Sequence, residues 1–197
     1  MSLKNTTTAW GWPARVLHWV MALMILAMLG VGTYMANFEK DLIARLELVQ
    51  THKSVGFTVF ILALIRIGWR LANRDTPALP PAMPRWQKAA SHASHLALYL
   101  LMLALPLSGW LMASSSPLND EGAYPMRIPN MVFGLFEMPD PFPVGSKALS
   151  DALYQLHGAL ALALELILLV HLGAALKHHF VDGDTVLSRM VSGRGQR

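Results

Sequence analysis

Residues 150–180 read SDALYQLHGALALALELILLVHLGAALKHHF, and the architecture turns on how this stretch is read. Between Leu156 and Ala175 the only ionisable side chains are His157, Glu165 and His171, so the segment is long and apolar enough to cross a hydrocarbon core of about 30 Å. His157 and His171 are separated by fourteen positions, about 21 Å along a helix axis and about 40° in azimuth. Both therefore project from one face, each near an opposite edge of the membrane, and His178 continues that face two turns further on. Ionisable groups inside a membrane are costly and mark function by default. Two imidazoles stacked in this way read as ligands of two haems, each completed by a histidine from another helix. Glu165 lies about 80° from His157 and 120° from His171, off that face.

The rest of the composition suits a membrane protein. The 197 residues are 54% hydrophobic and 14% charged, against about 25% charged in a soluble domain. One polytopic domain over residues 1–197 is expected. No run of Lys and Arg with interleaved aromatics points to nucleic acid. The chain has no cysteine, which excludes disulfides, haem attached through C-x-x-C-H and cysteine-ligated clusters. Near the N-terminus there is no small-residue cleavage site, and the first apolar stretch is too long for a signal segment, so it is expected to remain as a span.

Working outward from the opening stretch, hydropathy marks three more spans. The fold class is an all-α membrane protein, a four-helix bundle with spans at about 16–36, 50–72, 92–113 and 150–177. His18 and Gly32 lie on one face of the first span, and His52 and Arg66 on one face of the second. The connection 37–49 carries five charged residues, and the loop NRDTPALPPAMPRWQK at 73–88 carries four prolines, which exclude helix there. The third span opens with His92 and His95 and contains Pro106 and Gly109. Residues 114–149 are a long connection, of the kind that is functional or packs on itself. Residues 180–197 form a basic tail.

Charge gives the orientation. Lys4, Arg15, Arg66, Arg70, Arg74, Arg85, Lys88, Lys177, Arg189, Arg194 and Arg197 fall on one side. Lys40, Arg45, Lys53, Arg127 and Lys147 fall on the other, with eight of the twelve acidic residues. The positive-inside rule then places both termini in the cytoplasm. Depth sorts the histidines accordingly. His52 and His157 share the outer edge and have only each other as partners. At the inner edge His171 has a choice among His18, His92 and His95, which composition leaves open.

Seven short pieces add a resemblance: R-V-L-H-W at 15–19, H-K-S-V-G at 52–56, R-I-G-W-R at 66–70, S-H-L-A-L-Y at 94–99, A-L-P-L-S-G at 104–109, F-G-L-F-E-M-P at 133–139 and A-L-K-H-H-F at 175–180. In this order and spacing they cover nearly the whole chain, which resembles the bacterial cytochrome b561 family of di-haem inner-membrane proteins. The resemblance implies two non-covalent haem b groups, one held by His18 with His171 and the other by His52 with His157. Two imidazoles leave iron no open position, so such a centre transfers electrons rather than binding oxygen.

Other residues are candidates around those groups. Arg66 and Arg70 are placed to pair with haem propionates or to anchor their helix in the phosphate layer. Lys53 can hold a propionate, attract a small anion or snorkel to the interface. Gly32 and Gly109, with Gly56 and Gly158, let either a porphyrin face or another helix approach. His95 suits packing or a proton path. His178, on the His171 face about 10 Å further toward water, can hydrogen-bond a quinone carbonyl and deliver its proton, whereas His179 is turned about 100° away. The resemblance implies a quinone site in this region.

The function expected is transmembrane electron transfer from a periplasmic-side donor to ubiquinone or menaquinone. Superoxide oxidation is the nearest activity that the resemblance offers. The acidic outer loops count against steering an anion, and a periplasmic redox protein docking on 114–149 is the other donor. The alternative is a haem-bearing membrane anchor that wires a partner dehydrogenase or hydrogenase. A histidine-based metal transporter is disfavoured, because metal sites cluster their ligands while these histidines lie as separated pairs.

Overall fold

The structure is a computed structural model that describes residues 2–120, 127–142 and 144–193. Arg194 and Arg197 of the basic tail lie outside the described residues.

Helix α1, Trp12–Asn37, begins where Arg15 N–H bonds the Gly11 carbonyl, and Pro13 falls in the first turn, where a missing N–H costs nothing. Helix α2, Leu42–Ala72, starts earlier than the expected span. Asp41 caps it by accepting the Ala44 N–H at 2.8 Å, and Leu42–Gln50 is rich in good helix formers. The connection after α1 therefore shrinks to residues 38–41. Helix α3, Arg85–Ser114, follows Pro84, and Pro106 inside it removes one backbone donor. The connection 114–149 is not wholly irregular. It holds one 3-10 turn at Pro117–Asn119 and a hairpin of β1, Met131–Val132, and β2, Phe136–Glu137, in which Val132 faces Phe136 and Met131 faces Glu137.

Helix α4, Lys147–Phe180, contains the opening stretch. Ser146 starts it, its carbonyl accepting from Ser150 N–H at 2.9 Å. The tail forms a short helix α5, Val186–Val191, where the sequence had suggested only a basic extension. Among the described residues four helices are long and apolar enough to cross a membrane, with mean hydropathy between 1.7 and 2.3.

The chain divides into two compact units, and each long helix gives a segment to both. One unit, here the terminal unit, comprises Met1–Ala22, Leu62–Leu100 and Leu164–Arg197. In it α5 is tied to α1 by Trp19 Nε1 donating to Met190 O at 3.1 Å. Arg189 donates to Ala78 O at 2.8 Å, and Ala78 N–H donates to Thr7 O at 2.8 Å. The other, the hairpin unit, comprises Leu23–Ile61 and Leu101–Ala163. There the hairpin is seated on α2: Phe133 N–H donates to Ser54 Oγ at 2.8 Å, and Gln50 Nε2 to Pro129 O at 3.1 Å. Large apolar side chains such as Leu23, Leu26, Leu162 and Leu169 are exposed. That is how a bundle bathed in acyl chains presents itself, since lipid offers no hydrophobic drive to bury them.

Candidate functional site

In the terminal unit α4 supplies His171 and α1 supplies His18, with ring centroids 6.2 Å apart. In the hairpin unit α4 supplies His157 and α2 supplies His52, with centroids 6.4 Å apart. Two metal–imidazole bonds of about 2 Å, with a ring radius of roughly 1 Å on each side, separate centroids by about 6 Å. Both pairs stand at that separation, and their donor set is purely imidazole. The residues therefore fit a bis-histidine haem in each unit. His95, from α3, also reaches His171, with ring centroids 5.5 Å apart, closer than a shared metal would set them.

The hairpin-unit pair has a shaped surround. Ser108 Oγ donates to Leu105 O at 2.8 Å and lies 2.9 Å from His157 Nδ1. A hydroxyl has one proton, so Ser108 accepts from His157 Nδ1–H, and Nε2 is left with its lone pair for a metal. This is the outer support that ligating histidines use. A Cβ on Gly109 would stand 3.3 Å from His157 Cε1, and one on Gly32 would stand 3.4 Å from His52 Cε1. The two glycines thus let the imidazoles lie against the backbone, a role the sequence left divided between porphyrin and helix. Among the described residues a Cβ on Gly56 would meet only the Met28 methyl, at 3.6 Å, and one on Gly158 would meet nothing within 4 Å. Among the described residues no hydrogen-bond partner reaches the buried His52 Nδ1, which leaves that polar atom for a group outside the protein.

The terminal-unit pair is surrounded differently. Arg66 stands 2.9 Å from His18 Nδ1 and 5.7 Å from the Tyr99 ring centroid. A guanidinium only donates, so in this arrangement His18 accepts at Nδ1 and carries its proton on Nε2. Metal ligation through Nε2 requires the proton to move to Nδ1 and Arg66 to turn away, which frees its charge for an anionic substituent of the same cofactor. Arg70, the other arginine candidate, is engaged elsewhere: it donates to Asn73 O and Arg74 O at 3.1 and 3.0 Å, closing the C-terminal end of α2. Lys53 donates to Asn130 Oδ1 at 2.9 Å, a partner supplied by the hairpin.

His178 lies at the end of α4, half-buried, with Nδ1 2.6 Å from Asp184 Oδ2 and 3.2 Å from Asp182 Oδ2. The chain places both aspartates there because Gly183 adopts φ +63, a left-handed conformation that glycine takes freely, and turns the chain back over the helix end. His178 also lines a groove of about 390 Å³ whose other wall is the proline-rich loop with Pro80, Met83 and Pro84. His179 is exposed and stacks edge-on against Phe180 at 4.7 Å, apart from that groove.

Ser108, Asn130, Asp182 and Asp184 were not legible as site residues. The aspartates sit in a polar tail, and a serine two positions after a helical proline reads as packing. The one signal was A-L-P-L-S-G itself, in which a serine precedes a glycine on a span rich in bulky residues.

The profile of the prokaryotic cytochrome b561 family matches residues 9–193. Cytochrome b561 homolog 2 of Escherichia coli (strain K12) is 32% identical over 191 residues, covering 97% of this chain and 95% of that protein. Homolog 1 of the same organism is 28% identical over 179 residues, covering 90% and 94%. A probable superoxide oxidase CybB of Yersinia pestis is 30% identical over 143 residues, covering 71% and 72%.

Proposed function

The chain belongs to the prokaryotic cytochrome b561 family, whose members are multi-pass membrane proteins that transfer electrons through haem b, and on that premise we propose that it carries electrons from a periplasmic donor to membrane quinone through two haems. The observation that carries this reading is the pair of imidazole pairs, 6.2 and 6.4 Å between centroids, one in each compact unit. When bound, haem b would supply reversible one-electron chemistry.

The chain's own residues do the rest. His18 with His171, and His52 with His157, would hold the haem irons. Ser108 keeps the His157 proton on Nδ1, and Gly32 and Gly109 give the rings of the second pair room. Arg66 offers its charge to a propionate once it leaves His18. The distribution of cations supports a bacterial inner-membrane location with both termini in the cytoplasm.

Superoxide is the donor we favour, and a relative named as a probable superoxide oxidase supports it. Lys53 is held by a neutral amide oxygen, so its positive charge remains for an anion despite the acidic loops around it. Two superoxide ions, each losing one electron, leave two dioxygen molecules, and one quinone takes up the two electrons with two protons. His178 serves that second half. Its Nδ1 is fixed by Asp184, and its ring forms a wall of the groove, where it can hydrogen-bond a quinone carbonyl and hand over a proton that the aspartates replenish.

Pyridine haemochrome titration should give two haems per chain. His52→Ala or His157→Ala should each remove one and spare the other; His18→Ala and His171→Ala should do the converse. A folded chain without haem, or a His18→Ala chain that keeps both while His95→Ala loses one, would sink the assignment. In sealed vesicles containing quinone, enzymatically generated superoxide should reduce the haems. Failure of superoxide alongside success of a protein donor would replace that donor while keeping the electron path.

A further inference from the structure

We propose that the tip of the hairpin, Phe133–Phe136, is a lipid-binding surface that dips into the bilayer interface beside α2. The tip is apolar and uncharged, and its side chains are open: Phe133 is 57% exposed, Leu135 79% and Phe136 48%. The opposite end of the same hairpin is polar, closed by the Arg127–Glu137 ion pair. One element thus runs from a charged base to an apolar tip, the gradient that water, headgroups and acyl chains present across a few ångströms of interface.

Its seat gives the depth. The Phe136 ring meets the Phe57 ring edge-on at 5.9 Å, and Phe57 lies five positions beyond His52, inside the apolar run of α2. Ile61, one turn further along the same face, is exposed. The apolar surface of the tip is therefore continuous with the side of a span that meets acyl chains. This continuity selects lipid over a second copy of the chain or a water-borne partner, either of which would have to reach below the headgroups to cover it.

The backbone points the same way. Phe133 has φ +50 and Gly134 φ +70, and Leu135 N–H closes the turn on Val132 O at 2.9 Å. The left-handed conformation disfavours a bulky L side chain, yet a phenylalanine occupies it, pinned through its N–H to Ser54 Oγ. A residue kept at an unfavourable backbone position for the sake of where its side chain goes is explained if that side chain has a medium to enter. The proposal is independent of the haem assignment.

The chain has no cysteine, so a single Leu135→Cys carries one spin label, and Lys40→Cys, in the short exposed connection after α1, serves as reference. Both proteins are reconstituted in phosphatidylcholine vesicles, with their haem spectra checked against the parent. Oxygen concentrates among acyl chains and a nickel chelate stays in water. The label at 135 should be reached preferentially by oxygen, reversing the preference at 40. A preference for the nickel chelate like that at 40, or shielding from both reagents, would overturn the proposal, the second by showing a protein cover. In the unsubstituted chain, a photoreactive lipid should attach to the peptide bearing 133–136. Adducts confined to the spans would also overturn it.

Discussion

A hydroxyl that has given its only proton to one carbonyl can do nothing but accept, and this makes Ser108 more than a spacer between Pro106 and Gly109. Ser108→Ala leaves His157 Nδ1–H without that acceptor and lets the ring turn or change tautomer. Loss of such outer support typically weakens metal affinity 10–100-fold. We expect Ser108→Ala to assemble with both haems but to release one to an acceptor apoprotein at least about tenfold faster, with the other unaffected. Equal release rates would remove the role. Arg66 makes a second residue-scale prediction. A cation paired with a propionate of that haem would favour the reduced, less positive iron, so Arg66→Gln should lower the midpoint potential of one haem by on the order of 60 mV, the equivalent of about 1.4 kcal/mol for one electron. Potentiometric titration followed by optical spectra would show it, and two unchanged potentials would place Arg66 outside the cofactor's field.

At the scale of elements, the turn after α4 is the informative piece. Gly183 folds the chain back so that Asp184 reaches His178, and any L side chain at φ +63 costs about 1–2 kcal/mol. Gly183→Val should shift both aspartates and reproduce the effect of Asp184→Asn: haem content and reduction by a donor intact, reoxidation by quinone slowed about tenfold, a change of about 1.4 kcal/mol in the barrier. His178→Ala should do as much and His179→Ala much less, read by stopped-flow reoxidation with a soluble quinone. Normal rates in all of them would put the acceptor elsewhere. The long helices were legible because hydropathy over some twenty residues is a strong signal. Their ends were not: the N-terminal overrun of α2 depends on Asp41 as a cap and on local propensity, both weak beside hydropathy. The hairpin was illegible for the opposite reason, since two-residue strands leave no alternation to read and its turn places phenylalanine where glycine or asparagine would announce it. For the site, depth and spacing brought His52 to His157 and left three partners for His171, whereas the supporting contacts of Ser108 and Asp184 arise only from how the chain folds.

For the whole molecule, apolar burial among the described residues is confined to a few side chains, among them Met21, Val59, Ala63, Leu101 and Leu164. A haem held by histidines from two helices would cross-link those helices. A chain produced under haem limitation should unfold at lower temperature and be cut sooner by protease. Adding haem should restore both, because a ligand at a thousandfold excess over its Kd stabilises the folded state by about 4 kcal/mol. Scanning fluorimetry in detergent across a haem titration would measure it, and an unfolding temperature indifferent to haem would show that the bundle stands by its own packing.

Both pairs borrow a ring from α4, and this ties two chemistries to one ruler. A residue inserted between positions 157 and 171 turns everything after it by about 100° and shifts it by about 1.5 Å, so one ring would leave its partner whichever end stayed in place. A change of seven residues, two turns, nearly restores the bearing, but it would shift the far ring by about 10 Å along the axis. A chain that is to keep both pairs can therefore change the letters of this segment but must hold the count between positions 157 and 171, a constraint that the loops on either side do not share.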